Sequence, residues 1–219
     1  MRNNPILIAG LLLGAFAVGG VGLVAVTHDL TSERIAANER AATLRTVVDV
    51  LPTGHLGEDP LRDLIEVSAP DLSDGTTTRI YRLRRDSEPL ALVLDPVIAD
   101  GYMGRPIKLL VSILADGTLG GVRVLAHRET PGLGDKIEPT KSDWILGFTG
   151  KSLGNPPEAA WKVKRDGGVF DQFAGATITP RAIVRSVRNA LRFVEQQGAA
   201  LYDQPARTKR SRDGPLRHP

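Results

Sequence analysis

The feature that most constrains this 219-residue chain is an uncharged apolar segment from Pro5 to Thr27. A helix that crosses a bilayer needs about 20 consecutive apolar residues, and this segment is long enough. The apolar core of a cleaved signal peptide is shorter, about 7–15 residues, and precedes a small-x-small cleavage site. Ala25-Val26-Thr27 is a poor site of that kind. The sequence therefore predicts an uncleaved membrane anchor over residues 1–28.

The residues after the anchor predict a second helix that leads into a folded domain. Thr31-Ser32 has the composition of a helix N-cap. Apolar residues follow at roughly helical spacing, namely Ile35, Leu44, Val47, Val48 and Leu51. We expect a stalk helix over residues 29–52 that stops at Pro52-Thr53-Gly54, a domain over residues 53–200 and a basic, disordered tail over residues 201–219.

Composition excludes several classes of function. The chain has no cysteine, so it cannot itself supply a disulfide, a cysteine-ligated iron–sulfur cluster or a zinc–thiolate site. Any redox chemistry must then use an organic cofactor. The net charge of +3 comes from the tail that begins at Asp203, and the rest of the chain is neutral by count. Because the body has no basic face interleaved with aromatic residues, we expect no nucleic-acid partner.

Alternating apolar residues and turn residues predict the elements of the domain. Short strands are expected over Arg79–Leu83 and Leu90–Leu94. A hairpin is expected where two β-type runs flank Asp116-Gly117, a favoured turn pair; its strands are Ile107–Leu114 and Leu119–Ala126. A further strand over Trp161–Lys164 and a last helix over Pro180–Gln197 complete the prediction. The expected fold class is α+β behind a single N-terminal transmembrane helix.

Two loops carry more special residues than packing requires. In the first, Gly132 and Gly134 could bring backbone N–H groups close to a ligand, and Glu129 and Thr130 add polar groups. Read alone this signal is weak, because such a stretch is more often an ordinary turn and His127 more often a structural histidine.

The second loop leads into the last helix. Thr179-Pro180 resembles a helix start in which the Thr179 hydroxyl is the cap. Gly175-Ala176 leaves little side-chain bulk around Thr177, and the positive end of a helix favours a phosphate. A plain helix cap after a glycine turn explains the same residues.

Together these stretches resemble the G-type subunit of the Rnf/Rsx electron transport complex (RnfG), and more distantly the C-type subunit of the sodium-translocating NADH:quinone reductase (NqrC). The motifs occur in the same order: DGYMGRPIKLLVSI, HRETPGLGDKIE, SDWILGF, WKVKRDGG and FDQFAGATITPRAIV. The resemblance runs from the anchor to about residue 200 and leaves the basic tail outside it.

In that family an FMN is joined through its phosphate to the last threonine of a D-x-x-[ST]-G-A-T motif. The resemblance implies that Thr177 is the attachment residue and a tether, not a catalytic residue, and that no metal is bound. It implies a set of cofactor-binding residues made up of Asp171, Gly175 and Ala176 in the motif, Glu129, Thr130, Leu133 and Gly134 beside the FMN, and Lys164 nearby. Trp144 and Trp161 are expected either in the core or against the flavin ring. Ala174 departs from the motif, because the family has serine or threonine there.

The resemblance also implies a function. It predicts a covalent-FMN electron carrier in an ion-translocating oxidoreductase that couples ferredoxin and NAD redox chemistry to ion transport. The partners would be the other Rnf/Rsx subunits, a flavin transferase and the inner membrane, with the domain in the periplasm. Two alternatives stay open. One is the related component of the quinone reductase. The other is a flavin-free membrane-anchored assembly or binding protein, because Ala174 lacks the hydroxyl that the family has at this position.

Overall fold

The computed structural model describes residues 5–51, 59–73 and 75–206. It divides into two compact units, Met1–Thr43 and Leu44–Pro219. The predicted stop at Pro52-Thr53-Gly54 and most of the predicted basic tail, residues 207–219, lie outside the described residues.

The first unit is helical. Helix α1 runs without interruption from Pro5 to Asp49, so its last residues belong to the second unit. Its segment Ile8–Ser32 is 25 residues long and has a mean hydropathy of 2.2. By length and composition this segment could cross a membrane.

The helix does not begin again at Thr31-Ser32, so the predicted N-cap is wrong. The Thr31 hydroxyl donates instead to the carbonyl of Thr27, one turn earlier in the same helix. A threonine inside a helix commonly makes this bond. The residue types Thr-Ser alone therefore do not distinguish a helix N-cap from a position inside a helix.

The second unit is built on an antiparallel sheet whose described strands follow one another in chain order. The strands are β1 (Leu64–Val67), β2 (Thr78–Arg85), β3 (Glu88–Asp100), β4 (Pro106–Leu114) and β5 (Leu119–Ala126). The hairpin of β4 and β5 is confirmed. At its turn Gly117 has a φ of 82°, and the Asp116 carboxylate accepts from the N–H and hydroxyl of Thr118.

Each face of the sheet carries its own apolar cluster, because side chains alternate along a strand. Helix α2 (Ile178–Asp203) packs on one face, where Ile183 and Val187 meet β3 and β4 residues such as Leu94 and Leu109. The end of α1 covers the other face, where Val47 and Val50 meet β-strand residues. Helix α2 continues past residue 200, and Leu201 is buried.

The segment between β5 and α2 holds no long regular element. Short 3-10 turns follow one another within the described residues, at Gly134–Ile137, Asp143–Phe148, Glu158–Ala160 and Lys164–Asp166. The predicted strand over Trp161–Lys164 is wrong: Val163 makes a single β-bridge to Phe170. The alternation that predicted it arises because Trp161 and Val163 both point into the core.

Candidate functional site

A tight turn leads into α2. Phe173 is buried, and its carbonyl accepts from the N–H of Ala176 at 3.2 Å. Ala174 and Gly175 lie exposed at the tip. Gly175 has a φ of 81°, a region that glycine enters without steric cost. The turn therefore presents small residues to solvent immediately before Thr177.

The N-cap of α2 is not the threonine that the sequence predicted. Helix α2 begins at Ile178, so its N-cap is Thr177, yet the Thr177 side chain makes no capping hydrogen bond. Thr179 lies inside the first turn, where its buried hydroxyl donates to the Glu129 carboxylate. The prediction that Thr179 is the cap is therefore wrong. The prediction assumed that Pro180 is the first residue of the helix, whereas it is the third. Proline is tolerated throughout the first turn, because the N–H groups there have no partner within the helix.

Glu129 lies at the centre of the site and is only 7% exposed. One carboxylate oxygen accepts from the backbone N–H of Tyr102 at 3.1 Å, and the other accepts from Thr179. Two glycines make room for it, since a β-carbon on Gly101 or Gly134 would lie 2.5 Å from a Glu129 oxygen. The carboxylate thus joins three separate parts of the chain: the loop after β3, the loop after β5 and the start of α2.

The glycine loop after β5 is divided into an inner and an outer part. Glu129 and Gly134 are buried, whereas Thr130 and Leu133 are exposed. The Thr130 carbonyl accepts from the N–H groups of Leu133 and Gly134, both at 3.1 Å. Leu133 lies beside the turn, with its Cδ2 atom 3.2 Å from the position of a β-carbon on Gly175. The two predicted loops therefore meet, and Thr130 and Leu133 are among the side chains exposed on the outside.

His127 supports the same loop. Its Nδ1 accepts from the Glu129 backbone N–H at 3.1 Å, and its Nε2 lies 3.0 Å from a Glu138 carboxylate oxygen. A ring nitrogen that accepts carries no proton, so Nε2 is the donor in this network. Both ring nitrogens are engaged, which agrees with the structural interpretation of His127.

Lys164 and Asp171 form an exposed ion pair, with Lys164 Nζ 2.6 Å from Asp171 Oδ1. The Asp171 carbonyl also accepts from Trp144 Nε1 at 2.9 Å. The Trp144 ring meets the ring of Phe173 edge-on at 5.1 Å. Trp161 lies in the core, where it is 1% exposed. The beginning of the motif is thus fixed by Lys164, Trp144 and the Phe173 side chain.

A second ion pair fixes the first turn of α2. The Arg181 guanidinium binds both carboxylate oxygens of Asp166, at 2.6 and 2.7 Å. Hydrogen bonds from Arg181 hold the pKa of the Asp166 carboxyl below its usual range. The Arg181 N–H also donates to the Thr177 carbonyl at 3.3 Å. The backbone around Thr177 is held in place while its hydroxyl makes no bond to the helix.

Comparison with known proteins shows the family to which the chain belongs. A family model described as the RnfG N-terminal region matches residues 1–50, and one described as the FMN-binding domain matches residues 101–192. The G-type subunit of the ion-translocating oxidoreductase complex of Pseudomonas aeruginosa (strain UCBPP-PA14) is 50% identical over 186 residues, which cover 84% of this chain and 86% of that protein. The chain belongs to the RnfG family.

Other members of the RnfG family match over most of their length. The corresponding protein of Vibrio atlanticus (strain LGP32) is 44% identical over 202 residues, covering 92% of this chain and 96% of that protein. Among solved structures, NqrC of Shewanella oneidensis is 23% identical and covers 63% of this chain and 70% of that chain, with a TM-score of 0.42.

The residues of the turn fit a phosphate-linked FMN. The half-buried Thr177 hydroxyl is not used as a cap, and the N–H groups at a helix start favour a phosphate. The adjacent turn is small and exposed at its tip, which leaves room for an incoming group. Exposed apolar side chains surround it, since Leu133 touches the turn and Ile178 follows Thr177; apolar surface of this kind suits a flavin ring.

The sequence did not predict the contacts of two parts of this site. The loop Gly101–Arg105 lies within the motif DGYMGRPIKLLVSI, and it joins the site through the Tyr102 N–H. Trp144 was expected in the core or against the flavin ring, and it joins the site through the Asp171 carbonyl. At Gly101 the Glu129 carboxylate and the Arg105 carbonyl leave no room for a side chain.

Proposed function

We propose that this protein is a covalent-FMN electron carrier, with the FMN phosphate joined to Thr177. The observation that carries the proposal is the contrast between the two threonines. The Thr179 hydroxyl is buried and bonded to Glu129, whereas the Thr177 hydroxyl is half-buried and makes no capping bond. Thr177 is therefore the threonine that an outside enzyme can modify without breaking a bond that holds the fold.

The attachment is a phosphoryl transfer in which a separate flavin transferase uses FAD. A bond forms between Thr177 Oγ1 and the phosphorus of the FMN half, and the pyrophosphate P–O bond breaks. AMP leaves with the electron pair, and the hydroxyl proton is released. No electron is exchanged with the protein, and the product is a phosphodiester at the start of α2, where the helix dipole favours negative charge.

Each implied residue has a distinct part in this proposal. Gly175 and Ala176, with Ala174, form the small-residue turn through which the transferase reaches the threonine, and Asp171 is the outer end of its recognition motif. Leu133 and Thr130 face the attached group from the neighbouring loop. Lys164 is paired with Asp171 and lies within the same exposed patch. Glu129 and Gly134 are buried, so they support the two loops from the interior of the domain.

FMN bound at Thr177 would supply electron transfer through its isoalloxazine ring. The protein's contribution is to tether the cofactor and keep it at one place on a membrane-anchored domain. Membership of the RnfG family supports a place within an ion-translocating oxidoreductase complex, with the other subunits as partners. We further propose that the complex couples ferredoxin and NAD redox chemistry to ion transport and that the domain faces the periplasm.

In-gel fluorescence tests the central step. The full chain is produced with the flavin transferase present, denatured and examined by gel electrophoresis, in which only a covalently bound flavin stays with the band. Peptide mass spectrometry should place FMN, less one water, on Thr177. Thr177→Ala should remove the fluorescent band without loss of folding, because the hydroxyl makes no capping bond.

Absence of flavin from the wild-type chain would instead favour a flavin-free assembly or binding protein. The modification on Thr179 would contradict the assignment of the two threonines.

A further inference from the structure

We propose that Glu129 is a positioning residue that sets the geometry of Thr177 through Thr179, and not a residue that touches the flavin. This inference rests on the proposed attachment of FMN to Thr177. It differs from the resemblance, which implied that Glu129 lies beside the cofactor.

The Glu129 carboxylate is buried and enclosed by the protein. Glu129 is 7% exposed, and the β-carbon positions of Gly101 and Gly134 each lie 2.5 Å from one of its oxygens. Both oxygens already accept hydrogen bonds, one from the Tyr102 N–H and one from the Thr179 hydroxyl. A carboxylate that is enclosed and engaged in this way is not available to an exposed ligand.

Thr179 connects Glu129 to Thr177. Thr179 is two residues beyond Thr177 in the same helical turn, and Thr179 is 1% exposed. Fixing its side chain fixes the rotation of the first turn about the helix axis. Arg181 holds the same turn from the outside through its two bonds to Asp166. The direction of the Thr177 hydroxyl follows from these two anchors.

Loss of the contact between Glu129 and Thr179 would disturb this arrangement. A buried carboxylate that loses a donor is destabilised by the desolvation of an unsatisfied charged group. The start of the helix can relieve this penalty by shifting until the carboxylate finds another donor. Such a shift would move Thr177 relative to the glycine loop, and a shift of about 1 Å at a reacting group can slow a reaction by up to about 100-fold.

The test measures the rate of flavin attachment to the purified full chain. Chain produced without flavin transferase is solubilised in detergent and incubated with purified transferase and FAD, and the fluorescence of the denatured band is followed over time. Thr179→Val removes the hydroxyl but keeps the shape, and we expect attachment at least about tenfold slower. Thr179→Ser keeps the hydroxyl and should recover most of the rate.

Thr78→Val is the matched control. Thr78 is also fully buried, and its hydroxyl donates to the Pro96 carbonyl at 2.9 Å, away from the turn. Thr78→Val should lower the melting temperature, as Thr179→Val does, yet leave the rate of attachment at the wild-type value. This comparison separates a positioning role from a general loss of stability.

Two substitutions of Glu129 complete the test. Glu129→Gln keeps the volume and can keep both hydrogen bonds, because the Thr179 hydroxyl can turn to accept from the amide. It should be labelled faster than Glu129→Ala. The double variant Glu129→Ala, Thr179→Val should be no slower than the slower single variant, since residues acting as one unit are not additive.

The outcomes are distinguishable. If wild-type chain is not labelled at Thr177, the proposed function fails. If it is labelled but Thr179→Val reacts at the wild-type rate, or if Thr78→Val is slowed equally, the positioning role of Glu129 is overturned while the attachment stands.

Discussion

The side chain of Leu133 lies against Gly175, with its Cδ2 atom 3.2 Å from the place a β-carbon would occupy. Leu133 belongs to the loop after β5 and Gly175 to the turn before α2, so this contact joins the two loops on their exposed side. The Glu129–Thr179 hydrogen bond joins them on the buried side.

Gly175→Ala should therefore destabilise the protein in two ways. The φ of 81° is unfavourable for alanine, at about 1–2 kcal/mol, and the new methyl group would press on Leu133. We expect a lower melting temperature and less covalent flavin per chain. Gly150→Ala is the control, because Gly150 has a φ of 77° but nothing within 4 Å of its β-carbon position. A Gly175→Ala variant with the stability of Gly150→Ala and full flavin content would contradict the contact.

The packing of Val50, the residue that follows α1, on β5 depends on Gly120. A β-carbon there would lie 2.9 Å from the Val50 carbonyl oxygen and 2.8 Å from Ser112 Oγ. Gly120→Ala should push the end of α1 away from the strand and cost about 1–3 kcal/mol of unfolding free energy by overpacking. Urea denaturation in detergent measures it, with Gly147→Ala as the control because nothing lies within 4 Å of that position. If Gly120→Ala and Gly147→Ala were equally stable, the predicted overpacking at Gly120 would be wrong.

The Asp166–Arg181 pair predicts a dependence of stability on pH. Hydrogen bonds from Arg181 lower the pKa of Asp166 in the folded protein. A lowered folded pKa means that the stabilisation is present above the unfolded value, about 4 for aspartate, and is lost as the pH falls through the folded value. The difference in stability between wild type and Asp166→Asn should be constant from neutral pH down to about 4 and shrink below it.

Denaturation curves at several pH values measure this difference. Added salt should reduce it at neutral pH, because the pair is partly exposed and exposed charges are screened. A difference that grows as the pH falls would have the wrong sign and would contradict the ion pair as its source.

The orientation of the chain in the membrane is open to a direct test. The protein should stay in the membrane after an alkaline carbonate wash, because the segment Ile8–Ser32 is long and apolar enough to span. Protease added to spheroplasts should digest the domain that carries α2, as the proposed periplasmic location requires. Protection of that domain while the inner membrane is intact would place it on the other side.

Local patterns in the sequence predicted the elements whose cause is local. The β4–β5 hairpin follows from alternating apolar residues around Asp116-Gly117, and the buried face of α2 follows from its helical spacing. Strand β1, Leu64–Val67, was missed because a run of four residues gives little pattern. Trp161 and Val163 alternate like a strand although the backbone pairs at only one point.

The connections of the site could not be predicted in the same way. The Glu129–Thr179 bond spans 50 residues, and nothing in either local sequence identifies the other as its partner. The resemblance predicts Thr177 as the attachment residue, whereas the sequence assigned the cap to Thr179 because Thr-Pro is typical of a helix start. Only the fold shows that the glycines at 101 and 134 make room for the Glu129 side chain.

The strands β1 to β5 lie in the sheet in the order in which they occur in the chain, so each pairing is available as soon as its second strand has been synthesised. Helix α2 is different, because it is the last described element and packs on strands made long before it. A nascent chain that stops before α2 could hold the sheet and the Glu129 loop but would lack the helix that orients Thr177. Under the proposed function, loading of the cofactor then reports that translation and folding of the domain have been completed, and a truncated product would carry no flavin into the complex.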